Sequence, residues 1–280
     1  MQKFLNGLKS FAIQNRLSAV GGFVVLIFVF MGIFASLIAP HDPYKIDIAN
    51  NLSKPSANHW LGTDYIGRDI LSRIIYGSRI SLVISSLSVL FGTAIGVPFG
   101  MIAAMVKKTE TLIMRMMDAM LCFPGIITAL AIITILGSGL KNLIIAIAIY
   151  QVPQFARLAY GLTLTMKEKD FVMSAVSTGA RQQRIIIQHI LPNILAPIVI
   201  QMSLLIPGAI LTTAGLSFIG LGVNPPTAEW GSMLQESIKW FRLAPHTMVF
   251  PGISLMLVAF GFNTFGDGVR VFLDPKLKER

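Results

Sequence analysis

Long charge-free apolar stretches alternate with shorter polar ones along the whole 280-residue chain. A cation at the centre of a membrane helix costs roughly 2.5–3.5 kcal/mol, so the charge-free intervals mark candidate spans. The first runs from about Leu17 to Ala39. It is too long for the ~7–15-residue apolar region of a secretory leader and reads as a retained span. A polar segment from Pro40 to about Gly77 has the turn residues of a folded extramembrane loop. The second span is expected between Arg79 and Lys107, and the third from near Met114 to the Gly137-Ser138-Gly139 turn. The fourth lies between Lys141 and Arg157 and can run on toward Thr165. Its charge-free interval, at ~1.5 Å per residue, falls short of a ~30 Å hydrocarbon core, so both cations are expected to snorkel outward. The fifth falls within Asn193 to Ala228, ending near Leu221, and the sixth runs from about Thr247 to Phe265. The pattern predicts an all-α integral membrane protein with six transmembrane helices and both ends on one side.

The polar-flanked stretch Lys167 to Pro192 breaks this rhythm. Phe171, Val172, Ala175 and Val176 share one face of a short helix. Asp170 stands where an N-cap or first-turn acid would sit, and Gly179 suits a C-terminal cap. A second short helix is expected to stop at Pro192. The periodicity fits a plug for a partner's groove, and equally an amphipathic helix lying flat on lipid.

Composition agrees with the spans: 54% of residues are hydrophobic and 13% charged, about half the charged share of a soluble domain. The net charge of +10 has no basic block interleaved with aromatics, so nucleic acid is not an expected partner. Fifteen lysines and arginines fall with the two ends, the second-to-third connection and the stretch from Arg157 to Pro192, against eight elsewhere. By the positive-inside rule both termini and that stretch are cytoplasmic. Cys122, the single cysteine, excludes an internal disulfide and is expected as a small core residue. Pro98, Pro124, Pro153, Pro197, Pro207 and Pro251 fall in spans, where each removes a backbone donor. Six together favour a bundle that encloses and moves something.

The sequence carries few motifs of catalytic or ligand chemistry. No glycine-rich loop ends in Gly-Lys-Ser/Thr, and no Gly-x-Ser-x-Gly elbow is present. His41, His59, His189 and His246 show no metal-ligand spacing, so no metal site, catalytic residue or cofactor site is expected. Arg115 and Asp118, at i and i+3, are expected to pair. Gly62, Asp64 and Gly67 predict a turn, with Arg68 and Asp69 opening a helix whose apolar face carries Ile70, Ile74 and Ile75. Trp230, Trp240 and Phe241 fit anchors at a membrane interface.

Four strings carry a resemblance. The spacing Ala175, Gly179, Ile190-Leu191-Pro192 resembles the coupling loop of binding-protein-dependent ABC import permeases. Where that family begins the loop Glu-Ala-Ala, this chain reads Met173-Ser174-Ala175, so the family's acid is missing. Leu61 to Leu82, Leu216 to Gly231, and Phe262 to Arg270 with Leu273 to Lys276 resemble peptide and nickel import permeases. Val271 stands where those usually have aspartate.

The resemblance implies one N-terminal span and extracytoplasmic loop (residues 1–78) ahead of a five-span permease core (79–280) with its coupling loop at 167–192. It implies a permease subunit, without enzymatic activity of its own, in a plasma (inner) membrane importer of dipeptides, oligopeptides or glutathione. It also implies a homologous second permease, one or two ATPase subunits that carry ATP and Mg, a solute-binding protein outside, and membrane lipid around. Asp170, Phe171, Val172, Met173, Ser174, Ala175, Gly179, Ala180, His189 and Pro192 are the expected ATPase-coupling residues. A nickel or metal-chelate importer is the alternative within the family. An ion-coupled carrier would need ionisable residues within its spans, and a membrane scaffold without transport is the remaining class. The lack of clustered histidines on the outer loops favours peptides over metal.

Overall fold

A computed structural model describes residues 16–273, and among these the regular structure is entirely helical. The first span, α1, runs Arg16–Ile33. A 36-residue helix, α2, covers Ile70–Met105, about 54 Å at 1.5 Å per residue. It therefore starts nine residues earlier than the charges suggest, with Asp69 as N-cap accepting from the Ser72 amide. The 78/79 division implied by the resemblance falls inside it. The further long helices are α5 (Leu140–Lys167), α7 (Leu191–Phe218) and α9 (His246–Leu273).

Instead of one straight third span, α3 (Lys107–Leu121) and α4 (Gly125–Leu136) meet at 93°. Lys107, Lys108, Glu110, Arg115 and Asp118 give α3 too much charge for the lipid centre, and Pro124 interrupts the backbone ladder. α4 alone, with twelve residues, reaches only about 18 Å. Among the described residues five helices are long and apolar enough to cross a membrane, six if the bent pair counts as one span. The bend leaves Cys122 exposed rather than in the core. It also carries Asp118 to Arg157 of α5, at 2.8 Å, instead of to its helix neighbour Arg115.

α2 and α5 form the centre. A Cβ on Gly96 would stand 2.5 Å from the Val152 carbonyl, and one on Gly100 2.1 Å from that of Ala156. Only hydrogen lets the two backbones approach so closely, the usual device where apolar burial does not separate protein from lipid. Around this seam Ile84, Val97, Ile133, Ile147, Phe155, Ile190 and Ile194 make one apolar core. A second joins α1, α7 and α9 to the N-terminal half of α2 through Phe28, Ile74, Ile210, Trp230 and Val258.

Pro192 does not end a helix. It lies in the first turn of α7, where a missing amide costs nothing. The wide π-helical turn Ile185–Ile190 makes room for the ring, and Asn193 Nδ2 donates to the His189 carbonyl at 2.6 Å. Helical chain thus continues from Gln182 to Phe218.

Candidate functional site: an exposed elbow and a charged outer cap

The elbow consists of α6 (Asp170–Ser177) and the turn after it. Asp170 is a first-turn acid, and Lys169 takes the N-cap position. Ser174, Ser177 and Thr178 bond back to carbonyls of their own helix, stiffening so short a piece. The Gly179 amide donates to the Val176 carbonyl and the Ala180 amide to that of Ala175, the paired bonds of a Schellman ending. With φ at +80°, Gly179 sits where a side chain is strained.

The residues expected to share one face differ in burial. Val172 is buried against the core. Phe171, Met173 and Val176 are about half exposed, at 45%, 49% and 57%. Beside them Ala175, Thr178, Gly179, Ala180, Arg181, Arg184, Gln188 and His189 line a cleft of about 510 Å³. Ser174 is exposed on the helix, and Pro192, also exposed, lies beyond the cleft. Two polar groups tie the elbow to the end of the central helix: Lys167 Nζ donates to the Ala104 carbonyl at 2.9 Å, and Gln182 Nε2 to that of Met105 at 2.8 Å. These carbonyls have no partner further along α2. Gln182 gave no signal in the sequence, because its role depends on where α2 stops.

At the opposite end of α2 charges are buried. Arg68 Nε lies 2.6 Å from Asp64 and its terminal nitrogen 2.7 Å from Glu236. Arg73 reaches the same Glu236 at 3.2 Å. All four side chains are at most 12% exposed, so the helix that opens after Arg68 and Asp69, as expected, starts in a locked joint between the first loop and α8 (Trp230–Ser237). Glu229 caps α8 by accepting from the Gly231 and Ser232 amides at 2.9 and 2.8 Å. Burial pushes its carboxyl above the usual range, and those amide bonds oppose the shift.

Trp230 is no interface anchor. It is fully buried, donates Nε1–H to the Ile74 carbonyl at 3.1 Å, and meets Phe28 edge to face. Trp240 stacks on Tyr65, and Phe241 is exposed. Histidines that look scattered in sequence also come together here: the His41 and His59 rings lie 4.7 Å apart, tilted at 40°, and both are beside Asp69. The loop from 40 to 69 folds back on itself, a closure that linear spacing does not express.

Helices long and apolar enough to cross a bilayer, buried charges at one end of α2 and an exposed elbow at the other define a polytopic membrane protein. Residues 96–279 match the family of binding-protein-dependent transport system inner membrane components, and residues 13–55 match the N-terminal membrane domain of oligopeptide transport permease C. The chain belongs to that first family. It is 45% identical over 95% of its length to the dipeptide transport system permease protein DppC of Alkalihalophilus pseudofirmus, covering 88% of that protein. It is 43% identical over 96% to the glutathione transport system permease protein GsiD of Escherichia coli, and 41% over 95% to GsiD of Pectobacterium atrosepticum, covering 89% of each. Among solved structures, the inward-facing MetNI methionine ABC transporter shares the fold, with a TM-score of 0.60 and 18% identity, over 72% of this chain and 97% of that one.

Proposed function

We propose that this chain is the permease subunit of an ATP-driven importer of small peptides, of the dipeptide or glutathione size named for its relatives. Hydrolysis belongs to separate ATPase subunits in the cytoplasm, where the distribution of lysine and arginine puts both termini and the elbow. A second permease of the same kind completes the path, and a solute-binding protein delivers peptide to the outer loops. The observation that carries the reading is the elbow itself: an apolar knob of Phe171, Met173 and Val176 outside the core, stiffened and tied to α2.

Mechanically, a motor gripping Phe171 and Met173 pulls on a closed turn rather than a loose loop. Lys167 and Gln182 pass the displacement to α2, which reaches the outer cap about 54 Å away. The spans then rock about the path, opening it to alternate sides. Gly179 must keep its left-handed turn for the grip to transmit work.

The test has two arms. With Cys122 replaced by serine, a cysteine introduced by Ser177→Cys should react with an impermeant maleimide only in inverted vesicles. Phe171→Asp should abolish co-purification of an ATPase subunit with no change in melting temperature. Labelling of Ser177→Cys from outside intact cells refutes the orientation, and retained co-purification refutes the docking role.

A further inference from the structure

We propose that His41, His59 and Asp69 form a binding site for a divalent transition-metal ion of the zinc or nickel type, on the loop between the first two spans. One ligand atom from each residue lies within 4.8 Å of the other two. The three come from separate places: His41 follows the first span, His59 lies in the Ser56–Gly62 turn, and Asp69 caps α2.

Each is held by bonds that leave ligand capacity. The His41 amide donates to Ser72 Oγ at 3.0 Å, fixing its backbone to the same turn that Asp69 caps. Ser72 donates to Asp69 Oδ2 from its amide and its hydroxyl, at 2.8 and 2.7 Å, which orients the carboxylate. The His59 carbonyl accepts from the Ser56 and Gly62 amides. His41 Nε2 faces the Asn58 carbonyl at 2.7 Å, and His59 Nδ1 faces Asp69 Oδ1 at 2.9 Å. A carbonyl and a carboxylate only accept, so those nitrogens carry the protons in the metal-free protein, and an ion held between His59 and Asp69 takes the place of the His59 Nδ1 proton, which is released.

Two imidazoles and a carboxylate suit zinc, nickel or copper far better than calcium or magnesium, which want oxygen alone. Bonds of about 2.0–2.2 Å set tetrahedral ligand atoms roughly 3.3–3.5 Å apart, so the set must contract. His41, the exposed member, is the one free to move. Water fills the remaining position. Binding would clamp the exit of the first span to the start of α2, making the outer loop more rigid when metal is present.

The full-length chain, purified through a histidine-free tag and set in lipid nanodiscs, is mixed with one equivalent of Zn²⁺ and passed over a desalting column. The proposal expects about one bound zinc per chain by elemental analysis and a higher melting temperature with zinc than with chelator. His41→Ala, which removes an exposed ring while leaving the backbone bond to Ser72, should lower retention at least tenfold and abolish the thermal shift. Asp69→Asn, which keeps a capping oxygen, should do the same, and His189→Ala at the elbow should change neither. No retention by the wild type, or retention by His41→Ala or Asp69→Asn equal to it, overturns the proposal.

Discussion

The two ends of α2 are built on opposite terms. At the Ile70 end Arg68, Arg73, Asp64 and Glu236 pair with one another, each at most 12% exposed, Glu229 caps α8 from a fully buried position, and Trp230 seals the joint. At the Met105 end the elbow offers half-exposed Phe171, Met173 and Val176 and is held by the buried Val172 and by two side-chain bonds to the last carbonyls of α2. Buried charges tolerate little displacement, because parting any pair strands a charge. An apolar knob on two hydrogen bonds, by contrast, yields when pulled. The Arg68 end is therefore a fixed joint, and on the proposed function the elbow end is a handle for a partner.

That contrast can be broken from either side. Arg68→Ala should have the largest effect on the molecule itself, since it leaves Asp64 and Glu236 short of a countercharge. A loss of about 3–5 kcal/mol is expected, seen as a large fall in melting temperature of the purified protein. A fall no greater than an exposed ion pair gives, under about 1 kcal/mol, would dissolve the idea of a locked joint.

Gly179→Val comes next. Forcing a β-branched residue into a left-handed turn costs of order 1–3 kcal/mol, but in the elbow alone. The melting temperature should hold while peptide uptake collapses and the assembled importer continues to hydrolyse ATP. Uptake at the wild-type rate would remove the turn from the mechanism. Lys167→Ala with Gln182→Ala should cost less, about 0.5–1.5 kcal/mol per bond. Uptake per ATP hydrolysed should drop, and an unchanged ratio would mean that force reaches the spans by another route.

The smallest effect is expected from Glu229→Gln. Burial raises this carboxyl above its ordinary 4.5, so the folded chain keeps the proton to higher pH than the unfolded chain does. The group's stabilisation is then greatest in acid and is lost as pH rises through the raised value. Glutamine should flatten the slope of melting temperature against pH in that direction. An unaltered slope would mean that the carboxyl stays ionised in the cap.

Much of the bundle was legible because lipid imposes a one-dimensional rule. A span needs some twenty apolar residues, so α1, α2, α5, α7 and α9 show in the order of charges alone. The rule fails wherever a helix is not straight or not facing lipid. The third span reads as one rod because no count of apolar residues reveals a 93° bend. Pro192 predicts a stop, although the preceding π-turn lets it begin α7. Trp230 fits an anchor by its residue type, and only the fold shows it packed on Phe28.

At the candidate sites the same division holds. Gly179 and the apolar residues of α6 are local features, and the helix ending they predict is the one formed. Gln182, and the meeting of His41, His59 and Asp69, depend on loops that close over distance.

From its sequence alone this protein receives its membrane nature, the order of its spans and the stiff turn of its elbow. All three follow from local hydrophobicity and backbone preference, which neighbouring residues specify. Tertiary structure decides which residues of that elbow stay exposed, where α3 and α4 part, and which charges and histidines meet outside. Those outcomes depend on packing and on pairs separated by tens to hundreds of residues, such as Arg68 and Glu236, whose contact no local pattern encodes.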